Sequence, residues 1–98
     1  MSYFAVCSFD LKNGSYEDYN NAYADLAAIG LHKQVASEDG KTIALPTTTI
    51  AGKFTGNNAS AVRDWLVESV RKAFVARRFT SEIFVAVGGD WAWGHRTT

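Results

Sequence analysis

The stretch Tyr3-Phe4-Ala5-Val6-Cys7-Ser8-Phe9-Asp10 decides the fold prediction for this chain. It is a short run of β-branched, aromatic and small residues that ends in a polar stretch, a pattern typical of a β-strand. One face carries Phe4, Val6 and Ser8, and the other carries Tyr3, Ala5, Cys7 and Phe9. Because both faces are largely apolar, we expect both to lie against other groups, as in a central strand or a strand at an interface.

Two helices are predicted from apolar residues that recur at helical spacing. The first begins after Ser15, which forms a capping-box pattern with Asp18, and Gly30 ends it as a left-handed C-terminal cap. Asn57 or Asn58 caps the second helix. The apolar stripe predicted for the second helix consists of Val62, Trp65, Leu66, Ser69, Ala73 and Phe74.

Three further strands are predicted. A brief, half-polar pattern over Leu31–Ala36 indicates an edge strand, and the β-branched segment Thr47–Phe54 indicates a better-supported one. We expect these two strands to form a hairpin, with a loop between about Ser37 and Pro46. Glu82–Val87 is the last strand, again apolar on both faces, and Gly88-Gly89 ends it.

The predicted order of strand, helix, strand, strand, helix, strand is the split βαβ arrangement of ferredoxin-like folds. The fold class is therefore α+β, a ferredoxin-like βαββαβ with a four-stranded antiparallel sheet and two helices on one face. Residues 1–98 form a single domain, with residues 88–98 as a Trp-containing C-terminal tail. The second face of the sheet stays apolar, and a second copy of the chain in a symmetric homodimer is the simplest cover.

Composition excludes several classes of protein. Ten basic residues balance ten acidic ones, which disfavours a wholly basic nucleic-acid module. The single cysteine, Cys7, excludes an intrachain disulfide and reads as a small core hydrophobe. No apolar run approaches the ~18 residues that span a bilayer, and the start of the chain lacks a signal-peptide pattern. We therefore expect a soluble, cytoplasmic protein with no membrane partner.

Asp10 is the candidate catalytic and metal-binding residue, because it ends the first strand where a sheet edge presents side chains to solvent. Mg²⁺ commonly takes one or two protein carboxylates, so a two-fold axis that joins two copies of Asp10 would complete a site. The metal would activate water and neutralise a phosphodiester. The alternative is that Asp10 caps the turn before Lys12-Asn13-Gly14.

Two further groups are candidate binding surfaces. The basic residues Arg71, Lys72, Arg77 and Arg78, in the last turns of the second predicted helix, would contact a phosphate backbone. Their alternative role is compensation of the helix dipole on a solvated face. In the tail, Trp91 and Trp93 are suited to docking on a partner or stacking on bases, or else to packing against their own domain or across a dimer. Gly52 predicts a bulge or a close approach of another chain.

Several segments of the chain resemble the small bacterial proteins of the SinR family, which are similar to the CRISPR-associated endoribonucleases (Cas-two-like proteins) and, more distantly, to the GhoS-type antitoxin. The resemblance rests on Phe4–Leu11, Tyr16–Gly30, Leu45–Ile50, Ala59–Leu66 and Ile83–Gly94. It implies a ferredoxin-like homodimer, with Asp10 at the position of the metal-binding Asp of the CRISPR-associated family.

Two functions follow as hypotheses. The first is a nucleic-acid-binding homodimer that cuts RNA or DNA with Mg²⁺ held by Asp10 of both protomers. The second is a non-catalytic protein-interaction module, such as an antitoxin or an inhibitor encoded by a phage or mobile element, that works through a sheet edge or the Trp91/Trp93 tail.

Overall fold

The computed structural model describes all 98 residues, Met1–Thr98, as an α+β protein. In chain order the elements are β1 (Ser2–Leu11), α1 (Tyr16–Ile29), β2 (Gln34–Ala36), β3 (Thr42–Ala44), β4 (Thr49–Thr55), α2 (Ala59–Ala76) and β5 (Ser81–Gly88). The main sheet is antiparallel, with the order β4-β1-β5, and β2 and β3 form a separate two-stranded sheet. The prediction of β1 as a central strand is confirmed.

The predicted four-stranded sheet is wrong in its strand count and in one pairing. The structure has five strands, and β2 pairs with β3 rather than with the segment Thr47–Phe54. Within the predicted strand Leu31–Ala36, a single residue, His32, forms a bridge with β4. The backbones of His32 and Ala51 exchange hydrogen bonds at N···O distances of 2.8 and 2.9 Å. The tight turn from Ser37 to Lys41 explains the difference, because it brings β2 beside the next few residues before the chain reaches β4.

Both helices pack on the same face of the main sheet. The ring of Phe9 on β1 lies 5.6 Å from the ring of Tyr23 on α1 and 5.4 Å from that of Phe74 on α2. The residues that α2 buries are Val62, Leu66, Val70 and Phe74. Trp65, expected in this stripe, is 55% exposed instead and lies against Phe54 at the margin of the core.

Both predicted ends of α1 and the predicted start of α2 are confirmed. The Ser15 hydroxyl accepts a hydrogen bond from the Asp18 N–H, and the Asp18 carboxylate accepts one from the Ser15 N–H, both at 3.1 Å. Gly30 ends α1 in the left-handed conformation with φ 109°. Asn58 is the N-cap of α2, since its side chain accepts from the Ala61 N–H at 2.8 Å.

Gly52 marks a close approach of backbone, but of the same chain. A Cβ atom built on Gly52 would lie 2.0 Å from the carbonyl oxygen of Gly30. Only a glycine therefore lets the end of α1 rest against β4. No helix in the structure is both long enough and apolar enough to cross a membrane.

Candidate interaction face of the sheet

The face of the main sheet turned away from the helices, here called the open face, is the candidate functional surface. The strands place three residues side by side in each row, and the middle rows are Ala51, Val6, Ala86 and Thr49, Ser8, Phe84. The Phe84 side chain is 67% exposed. In the next row Ala51 is buried within the chain, so the exposed apolar surface here consists of Phe84 together with the half-buried Val6 and the exposed Ala86.

Asp10 lies at one end of the open face, and the structure gives its carboxylate a partner within the chain. Asp10 Oδ1 accepts a hydrogen bond from the Tyr19 hydroxyl at 3.1 Å, and the same hydroxyl oxygen accepts from the Leu11 N–H at 3.1 Å. Asp10 therefore helps to join β1 to α1. This contact is a third role, separate from the metal ligand and the turn cap considered from sequence.

The other acidic residue at this end is Glu82, which lies directly opposite Asp10 across the β1–β5 pair. No group of three His, Cys, Asp or Glu side chains in the structure is arranged to hold a metal ion. One chain thus offers two carboxylates here, which is the number that Mg²⁺ commonly takes from a protein when water supplies the rest. The donor chemistry suits Mg²⁺.

Of the four basic residues predicted to bind a phosphate backbone, two form ion pairs and two do not. Helix α2 ends at Ala76, so that Arg77 and Arg78 lie beyond its last turn, contrary to expectation. The Arg77 guanidinium donates to both carboxylate oxygens of Asp25 on α1, at 2.7 and 2.9 Å, and this hydrogen bonding raises the pKa of Arg77. Arg71 donates from Nε to Glu68 at 2.9 Å, and that contact likewise raises the pKa of Arg71. Lys72 and Arg78 form no ion pair.

The C-terminal tail lies over the opposite end of the open face. The Trp91 ring stacks on that of Phe4 with centroids 5.8 Å apart and an angle of 20° between the planes. Lys53, the cross-strand neighbour of Phe4, places its Nζ 5.9 Å from the centre of the Trp91 ring. Packing of the tail against its own domain, one of the alternatives considered from sequence, is therefore present for Trp91.

A cleft of about 1070 Å³ separates the tail from the β2–β3 sheet. Trp93 lines it and is 38% exposed. The ionisable residues along the cleft are His32, Glu38, Asp39, Lys41, Lys53 and His95. Because acidic and basic side chains are mixed there, the cleft has no single sign of charge.

Cys7 is part of the core, as expected. It is fully buried, and the burial raises the pKa of its thiol to about 11. At neutral pH the thiol is therefore protonated and acts as a small apolar side chain.

Phe84, Lys53 and Tyr19 are the important residues that the sequence reasoning did not single out. The strand pattern predicted an apolar face that contains Phe84, but nothing in the pattern ranks that residue above its neighbours. Lys53 contacts a residue distant in sequence, and Tyr19 contacts residues on another element. The hydrophobic periodicity of a sequence does not indicate contacts of this kind.

Comparison with known proteins found no match, either among protein-family models or among curated sequences. The resemblance to the SinR family therefore stays a prediction.

Proposed function

We propose that this protein is a non-catalytic interaction module that acts as a homodimer through the open face of its sheet. The observation that carries the proposal is Phe84, 67% exposed in the row next to Val6 and Ala86. Two such faces related by a two-fold axis bury each other's apolar side chains, at the spacing of about 10 Å usual for stacked sheets. The partner is then a second copy of this chain.

The contacts of the candidate catalytic residue and of two candidate nucleic-acid-binding residues support the non-catalytic part of the proposal. The Asp10 carboxylate is engaged by Tyr19, Arg77 by Asp25 and Arg71 by Glu68. Each of these side chains has a role in joining or stabilising elements of the fold. The Phe84 side chain, 67% exposed on the open face, has no comparable contact within the chain.

The test replaces Phe84 by a charged residue. Phe84→Glu places a carboxylate from each protomer within the proposed interface and should give a monomer by size-exclusion chromatography with light scattering. The matched control is Val75→Glu, because Val75 is 58% exposed on α2, on the far side of the sheet. We expect the control to remain a dimer, with both variants folded by circular dichroism. A Phe84→Glu protein that still dimerises contradicts the proposal.

A metal-dependent endonuclease is the second candidate, and the opposition of Asp10 and Glu82 across β1 and β5 favours it. Two carboxylates in register are unfavourable neighbours unless a cation lies near them. In this candidate the Mg²⁺ ion supplies the activation of water, and Asp10 and Glu82 would hold it. Lys72 and Arg78, which have no ion-pair partner, remain available for phosphates.

The two candidates differ in a cleavage assay. Labelled single-stranded RNA and double-stranded DNA are incubated with the protein in Mg²⁺ or in EDTA, at two salt concentrations. The endonuclease predicts Mg²⁺-dependent cleavage that Asp10→Asn abolishes and that Asp64→Asn, at an exposed carboxylate on α2, leaves intact. The interaction module predicts no cleavage by any of the three proteins.

A further inference from the structure

Because Gly88 belongs to β5, the tail beyond the sheet consists of residues 89–98, and few directional contacts attach it to the rest of the fold. None of the 58 backbone hydrogen bonds involves it beyond the end of β5 at Gly88. No side-chain hydrogen bond or ion pair involves it either. Its specific contacts are the stack of Trp91 on Phe4 and the approach of Lys53 to the same indole ring.

The path of the tail crosses the open face. It leaves β5 at one edge of the sheet, lies over Phe4 on the central strand and reaches Lys53 on β4. It ends beside the β2–β3 sheet, where Trp93 and His95 line the cleft. Trp91 thus covers the Phe4 row, while the Phe84 row stays exposed.

We propose that residues 89–98 form a displaceable strap, which competes with the partner for the Phe4 end of the open face. The regulatory effect rests on the proposed function, because it needs a partner that binds this face. A single aromatic stack and a cation–π contact are weak compared with a face-to-face contact of two sheets. The partner can therefore displace the strap, but the free energy of displacing it lowers the affinity of the partner for the open face.

The first experiment measures the dissociation constant of the homodimer by sedimentation equilibrium. Trp91→Ala removes the stack from both protomers and should tighten the dimer roughly tenfold to a hundredfold, the range expected for two aromatic pairs. A chain that ends at Gly89 should show at least the same change. Trp65→Ala, at the exposed indole on α2, should leave the constant unchanged. A dissociation constant that is unchanged in Trp91→Ala overturns the proposal. A higher dissociation constant overturns it too, because the tail would then stabilise the dimer.

The second experiment detects the strap without a dimer. Trp65→Phe and Trp93→Phe leave Trp91 as the only tryptophan, and Phe84→Glu keeps the protein monomeric. Adding Phe4→Ala should raise the quenching of Trp91 fluorescence by acrylamide, and Tyr16→Ala at an exposed helix position should not. Equal quenching of Trp91 fluorescence with and without the Phe4 ring would overturn the proposal that the tail lies on the open face as a strap. If this test succeeds while the unmodified chain is a monomer at every concentration, the strap exists and the proposed dimer is wrong.

Discussion

At the residue scale, Gly52 shows how one position fixes the relation between two elements. The carbonyl oxygen of Gly30 occupies the space that a Cβ on Gly52 would need. The sequence indicated a close approach at Gly52, because a glycine inside a strand is otherwise unfavourable. It did not identify Gly30 as the neighbour, since that contact depends on the path of the chain after α1.

We therefore predict that Gly52→Ala destabilises the fold by about 1–3 kcal/mol, because backbone atoms must move to admit the methyl group. The measurement is the free energy of unfolding by urea. Gly88→Ala is the control, since a Cβ at that strand position meets nothing within 4 Å. Equal stability of the two variants would show that α1 does not rest against β4 in this way.

Cys7 gives a prediction about pH. Its thiol has a pKa of about 11 in the fold, above the value of 9.0 for a free thiol. Between these values the unfolded chain loses the thiol proton and the folded chain keeps it, so stability falls as the pH rises from about 9 to 11. The loss should reach about 2 kcal/mol.

The measurement compares the unfolding free energies of the unmodified chain and Cys7→Ala at pH 8 and at pH 10.5. Other groups titrate equally in both proteins, so the difference between the two free energies isolates the thiol. It should shrink as the pH rises. A difference that stays constant would mean that the Cys7 thiol ionises as easily in the fold as in the unfolded chain.

At the element scale, the ends of α1 and the spacing along β1 were predictable because they depend on near neighbours in the sequence. Ser15 and Asp18 are three residues apart, and Gly30 directly follows the helix. The β2–β3 sheet was not predictable in the same way. The residues of β3 lie in the segment that composition assigned to a loop, and a three-residue strand leaves too short a pattern to detect.

Tyr19 joins two elements, and its hydroxyl provides a prediction. Tyr19→Phe leaves the Leu11 N–H without its acceptor and should destabilise the protein by about 1–2 kcal/mol in thermal or urea unfolding. Tyr16→Phe, three positions earlier on α1 at a side chain that is 84% exposed, should have no effect. Similar losses in both variants would assign the effect to the helix rather than to its junction with β1.

At the scale of the whole molecule, one face of the sheet supports the helices, and the other carries Trp91 over Phe4 and leaves Phe84 exposed. The sequence predicted this division, because β1 and β5 are apolar on both faces. It could not predict how the tail divides the open face, since the contact of Trp91 with Phe4 joins residues at the two ends of the chain. The proposed dimer and the strap both depend on that arrangement.

The most direct test of the account is sedimentation velocity of the unmodified chain over a wide range of concentrations. We predict that the 10.7 kDa chain sediments with twice that mass at high concentration and dissociates on dilution. A sedimentation coefficient that stays at the monomer value up to the highest concentration would contradict the central claim that the open face binds a second copy.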